Sequence, residues 1–127
     1  MNDRTRSAVA LKLDLATSRA ARRQGLLGRD SLGATEGLLL TPCIAVHTAF
    51  MRFPIDVIFI DRNGRAVRVV PEVRPWRMTA SFRAHSVIEL AAGTAAATDT
   101  QVGDLLYLAP APPPLKREAV VTEPQAC

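Results

Sequence analysis

The sequence predicts an α+β domain dominated by β-structure, with a mixed or antiparallel sheet curled into a barrel or sandwich and two short helices. Three observations lead there. Apolar residues recur in six or seven runs of strand length rather than in helical stripes. Most connections between the runs are tight and carry Gly, Asn or Asp. A strict β-α-β-α order is absent, which disfavours a doubly wound nucleotide-binding sheet. At 127 residues and 48% hydrophobic content, the chain is one domain long and has enough apolar surface for a core.

The elements follow in order. Leu11, Leu13 and Leu15 alternate with Lys12 and Asp14, the period-2 pattern of a half-buried strand. "TSRAARRQGLLG" predicts a helix with Thr17 or Ser18 as N-cap and Gly28 at the C-cap. Arg19, Arg22 and Arg23 share one of its faces. A turn over 28–37 leads to a short strand, 37–40, stopped by Thr41 and Pro42. A strand through 45–51 should break near Pro54 before 55–61 continues, because proline removes a ladder donor. Asn63-Gly64 suits a two-residue hairpin turn joining 55–61 to 66–70. Residues 71–83 contain two prolines and no sustained period, and read as a long loop. A strand over 85–93, a short Ala-rich helix capped by Thr94, a turn at Val102-Gly103-Asp104 and a last strand over 105–108 complete the domain. The domain is expected to span 1–108, with 109–127 a proline-rich, disordered or polyproline tail.

Composition narrows the function classes. Cys43 and Cys127 are too few for a disulfide framework, and a reducing compartment fits. Lys12 and Asp14 interrupt the early apolar residues, so no signal peptide is expected, and no run reaches the ~18 apolar residues of a membrane span. A soluble cytoplasmic chain is the expectation. The net charge of +4 is uneven: residues 1–29 carry seven Arg or Lys against Asp3 and Asp14. That asymmetry could attract an anionic partner or simply solvate one end. The basic residues are scattered arginines with few aromatics and no nucleic-acid signature, so no nucleic acid is expected as partner.

Cys43, His47 and Met51 are spaced by four. On a helix they would share an ion, but Pro42, Val46 and Thr48 favour extended backbone, which separates the ends of the set by roughly 13 Å per four residues. No metal and no cofactor are expected. Cys43 with His47 or His85 and Asp56 contains the residue types of a nucleophilic site, yet its apolar neighbours suit an inert buried thiol. No phosphate-cradling glycine loop is present. Asp61 and Asp104 read as turn residues. Glu89 either faces outward or, if it faces inward, requires a partner such as an arginine.

Polar recognition remains. Arg52 precedes the Pro54 break, Asp56 opens the next strand, and Arg74-Pro75-Trp76-Arg77 offers guanidinium forks beside a flat ring. The expected ligand-binding residues are His47, Met51, Arg52, Asp56, Trp76 and Arg77, with no catalytic residue assigned. The alternative is that Arg52 and Asp56 form an internal ion pair and Trp76 covers the core.

"HTAFMRFPIDVIFIDRNGRAV" followed by "IELAAGTAAATDTQVGD" resembles the family called domain of unknown function 192, over about residues 8–108. The motif positions are Gly25, Leu26, Met51, Arg52, Pro54, Asp56, Asp61, Glu89, Gly93, Thr94, Gly103 and Asp104. The resemblance implies a compact β-rich fold with short helices and no established activity. Other members carry Trp-Met-Lys where this chain has Phe50-Met51-Arg52, and many begin with a secretion signal that is not expected here.

The expected function is a small ligand- or peptide-binding module that recognises an anionic group. A structural or protein-interaction accessory, using the basic helix and the proline-rich tail, is the alternative. A hydrolase or transferase using His47 and Asp56 is the third reading, and it requires those two within hydrogen-bond reach.

Overall fold

The computed structural model describes residues 1–109, in which the elements run β1 (Lys12–Ala16), α1 (Arg19–Gln24), β2 (Glu36–Leu40), β3 (Ala45–His47), β4 (Ile55–Ile60), β5 (Ala66–Val73), β6 (Met78–Ala80), β7 (Ser86–Ala91) and α2 (Thr94–Ala97). Five strands form one mixed sheet in the order β1-β2-β7-β4-β5, and β3 pairs with β6 in a second, two-stranded sheet. Only β1 with β2 is parallel. The large sheet keeps two edges, β1 and β5. None of the described helices is long and apolar enough to cross a membrane.

The near-continuous apolar run after Pro54 has a simple cause. β4 is buried at every residue because both faces of the sheet are covered, so alternation would put polar groups in a core. Ile55, Val57 and Phe59 pack on one face with Leu26, Leu38, Leu40, Val46, Met51, Val73 and Val87. Ile58 and Ile60 pack on the other with Val9, Ala66, Ile88, Leu90 and Leu106. Val46 is the residue by which the small sheet joins the first cluster.

Several local expectations are corrected. Ser18 caps α1 by accepting from the Ala21 amide, but the helix ends at Gly25 rather than Gly28. Leu11 and Leu15 are exposed, and of the alternating leucines only Leu13 reaches the core. Period 2 identifies a strand's faces and not what covers them, and β1 is an edge. The strand expected over 45–51 stops at His47, because the backbone turns at Thr48, whose carbonyl accepts from the Met51 amide at 3.1 Å. The β4–β5 connection is longer than a two-residue turn: the Asp61 amide bonds the Arg65 carbonyl, and Gly64 alone, not Asn63, has positive φ. Asp61 serves as the expected turn residue, accepting from the amides of Asn63 and Arg65.

The long loop over 71–83 is instead the end of β5, a pinned turn, and β6. Gly93, not Thr94, occupies the N-cap of α2. The last strand reduces to two isolated bridges, Arg65 to Leu105 and Asn2 to Leu106. The expectation for the proline-rich tail falls outside the described residues.

Candidate functional site

Two buried side chains organise the region around Pro54. Thr48 is fully buried; its hydroxyl donates to the Arg74 carbonyl at 2.6 Å and accepts from the Arg77 amide at 2.8 Å. Its own carbonyl also accepts from the Trp76 amide at 3.0 Å. Asp56 is fully buried too, and its two oxygens accept from the Glu72 amide and the Ala95 amide, each at 2.8 Å. Asp56 therefore ties β4 to a bulge in β5 and to the first turn of α2. Between these two anchors, the segment from Glu72 to Trp76 begins and ends in left-handed backbone, with φ of 50° and 65°. Such conformations in bulky residues cost about 1–3 kcal/mol and persist where the surroundings over-determine them.

What this pinned segment displays is cationic. Arg68, Arg74 and Arg77 line an open groove of about 410 Å³ with Val70, Pro71, Val73 and Thr79, and Glu72 is the one acid among the lining residues. None of the three arginines has a carboxylate partner among the described residues. Arg68 instead donates to the Ala80 carbonyl at 3.0 Å, which ties β5 to β6. Thr79 also lines the groove. It is buried, and its hydroxyl has no hydrogen-bond partner among the described residues.

A second concavity, a cleft of about 70 Å³, lies between the end of α1, β2, β3 and β7. Leu26, Leu40, Val46 and Met51 form apolar walls, Arg22, Arg23 and His47 contribute charge or polarity, and Cys43 and Glu89 complete the lining. Glu89 faces inward from β7 and is only 4% exposed, yet among the described residues the expected arginine partner is missing and its Oε2 has no hydrogen bond. Arg22 gives one guanidinium N–H to the Thr17 carbonyl and none to Glu89. Burial pushes the Glu89 carboxyl up to about 7. The Cys43 thiol is pushed up as well, chiefly by burial, and donates to the Ala45 carbonyl at 3.1 Å, so it is held as a thiol rather than a thiolate nucleophile.

Among the described residues, Thr79 Oγ1 and Glu89 Oε2 are the buried side-chain atoms left without a partner, and each lies on one of these concavities. Buried polar atoms are nearly always paired in native proteins, so unpaired ones at concave surfaces point to groups the protein itself does not supply.

The six residues expected to form one pocket are distributed over the molecule. His47 and Met51 line the cleft, and Arg77 lines the groove. Trp76 is exposed and packs against Phe50, ring centroids 4.6 Å apart, so it does not cover the core. Arg52 pairs with Asp30, not Asp56, and Asp56 is sealed as an anchor. His47 and Asp56 share neither concavity. Cys43, His47 and Met51 do meet on the cleft, because the turn at Thr48 brings Met51 back while β3 remains extended.

Sequence reasoning missed Arg68, Thr79 and the role of Glu89. The acid within "VIEL" was the available signal for Glu89; Thr79 carried none.

A family model for domain of unknown function 192, described as an uncharacterized ACR, matches residues 1–108. The chain belongs to this family. Four motif positions of the family resemblance, Gly25, Leu26, Met51 and Glu89, meet on the small cleft. The chain is similar to a crystal structure of a protein of unknown function from Novosphingobium aromaticivorans DSM 12444, with 26% identity, 73% of this chain and 71% of that one covered, and a TM-score of 0.67. It is also similar to a Sinorhizobium meliloti 1021 structure described as "a putative transcription regulator", with 25% identity, 73% and 78% of the two chains covered, and a TM-score of 0.68. No curated protein matches the chain.

Proposed function

We propose that this member of the domain of unknown function 192 family is a small binding module that takes an anionic ligand in the groove lined by Arg68, Arg74 and Arg77. The observation that carries the reading is three guanidinium groups without carboxylate partners among the described residues, lining one groove with a buried hydroxyl that also lacks a partner there. Like charges gathered in one place repel, and an anion would offset that repulsion while Thr79 donated to one of its oxygens.

Size and charge suggest the class. A volume of about 410 Å³ falls within the ~300–1,000 Å³ range of small-molecule sites. Three arginines against Glu72 leave two unbalanced positive charges, which a phosphate monoester of about −1.5 to −2 would match. The buried anchors, Thr48 and Asp56, would hold the arginine-bearing turn in position before the ligand arrives, which lowers the ordering cost of binding.

Calorimetric titration of the full chain with inorganic phosphate, pyrophosphate and citrate at low salt tests this reading. The expected result is saturable binding that weakens with added salt and falls at least tenfold in the double variant Arg74→Ala/Arg77→Ala. No binding by any of the three, or unchanged binding in the double variant, overturns it. A DNA duplex serves as a further probe because one similar structure is described as a transcription regulator. Duplex binding that outcompetes pyrophosphate would replace the small ligand with a nucleic acid.

A further inference from the structure

The cleft at Glu89 is a separate matter from the arginine groove, and its chemistry is of opposite sign at its floor. Glu89 projects from β7 between Leu38 of β2 and Val57 of β4, so neither neighbouring strand offers it a polar side chain. On its remaining side Gly25 closes α1, and a Cβ built there would lie 4.0 Å from Glu89 Oε2. Gly25 also has a φ of 46°, which side-chain-bearing residues rarely adopt. Glu89 thus has apolar cross-strand neighbours and a glycine beside it, and it lines the cleft.

The charged or titratable groups facing this cleft are Arg22 and Arg23 from α1, Cys43 from the segment before β3, and His47 from β3. Neither arginine is in an ion pair among the described residues. Metal binding is not what the lining favours: the described residues contain no group of three or more His, Cys, Asp or Glu placed to hold an ion.

A volume of about 70 Å³ is too small for a whole metabolite and sufficient for a group of a few heavy atoms on a slender stem. The walls formed by Leu26, Leu40, Val46 and Met51 suit methylene groups, and Glu89 suits a donor at the end of them. A simple cation would share the cleft with the like charges of Arg22 and Arg23. A ligand that carries its own acid turns the same arginines into partners.

We propose that the cleft binds a zwitterionic amino acid-type ligand, its ammonium group inserted against Glu89 and its carboxylate left for Arg22 and Arg23. The protonated amine supplies the hydrogen bonds Glu89 lacks, and the arginines supply two-point recognition of the acid. No bond is made or broken in this step. It does not depend on the arginine groove, and Arg74→Ala/Arg77→Ala should leave it unchanged.

Because the ammonium favours the ionised carboxyl, binding must release a proton whenever Glu89 begins protonated. Glu89 titrates near 7, so affinity should rise about tenfold from pH 6 to pH 8. His47 also faces the cleft, so its imidazole must be separated from Glu89 in any pH series. The variant His47→Asn separates the two contributions.

The test is a titration of the full chain with glycine, 4-aminobutyrate and 6-aminohexanoate, with butylamine and butyrate as single-charge controls, followed by the amide shifts of Gly25 and Glu89. At least one amino acid should bind more tightly than both controls, perturb those two amides, and lose at least tenfold affinity in Glu89→Gln. The pH slope should survive in His47→Asn. If no amino acid binds, or if Glu89→Gln binds as well as the unmodified chain, the proposal is overturned. Butyrate binding as tightly as the amino acids would also overturn it, because an acid alone would then suffice.

Discussion

A carboxylate on the middle of a covered sheet loses its water, and Glu89 Oε2 regains no hydrogen bond from the described residues. The energetic consequence can be stated with its sign. Its folded-state value of about 7 lies above the ordinary 4.5, so the folded protein holds the proton more tightly than the unfolded chain does. The corresponding stability is fully present below about pH 4.5 and is lost as the pH rises to about 7. The full difference is on the order of 3 kcal/mol. Glu89→Gln removes the titration, leaving only an amide with imperfect partners. We therefore expect Glu89→Gln to be more stable than the unmodified chain by about 2 kcal/mol at pH 8, and no more stable at pH 4. Urea unfolding at the two pH values measures this; a variant less stable at both would mean that the charge supports the fold. Such a cost fits the binding role proposed for Glu89 at the cleft.

At the scale of elements, the turn between β5 and β6 depends on Thr48 more than on its own sequence. One hydroxyl joins Arg74 and Arg77 to the end of β3. Thr48→Val preserves the shape but removes both bonds and leaves a buried amide and a carbonyl with one partner fewer, so a loss of about 2 kcal/mol is expected. Thermal unfolding reads the stability. The same variant should weaken pyrophosphate binding several-fold while the arginines are still present, since the groove is then no longer held in place; unchanged affinity would show that the anchor does not matter to the groove. Helix α1 has six residues and relies on Ser18 at one end and Gly25 at the other. The glycine there could not be assigned from the sequence, because Gly25 and Gly28 both suit a helix end and both have positive φ.

At the scale of the whole molecule, the two chain ends of the described domain meet at Asp104. Its carboxylate accepts from Asn2 Nδ2 at 2.9 Å, Arg4 Nε at 2.7 Å and the Gln101 amide at 2.8 Å. The hydrogen-bonded Arg4 guanidinium holds the Asp104 carboxyl well below the usual carboxylate range. The sign is opposite to that of Glu89: this stability is present above the unfolded value of 3.8 and is lost as the pH falls through the folded one. Together the two groups should place maximal stability near pH ~4–5, on the acid side of the usual ~5–8 window. Melting temperatures across pH 2–9 check this. Asp104→Asn should flatten the acid limb and Glu89→Gln the neutral one, and a profile level from pH 5 to 8 would contradict the assignment.

The sequence by itself determined what depends on neighbours along the chain. The near-continuous apolar run after Pro54 reads as a strand, Ser18 is one of two caps offered for the helix that follows it, and Asp61 reads as a turn residue. The paired motifs around Asp56 and Glu89 were enough to point to the family. Which polar residues became anchors and which remained free was decided only in the tertiary structure. Asp56 and Thr48 are satisfied by amides and carbonyls from distant segments, Asp104 by the N-terminus, and Arg52 by Asp30. Among the described residues, Thr79 Oγ1 and Glu89 Oε2 find no hydrogen-bond partner. A side chain's type states how many hydrogen bonds it can make. Whether those bonds are made depends on backbone groups brought from far along the chain, and pattern and propensity contain no record of that.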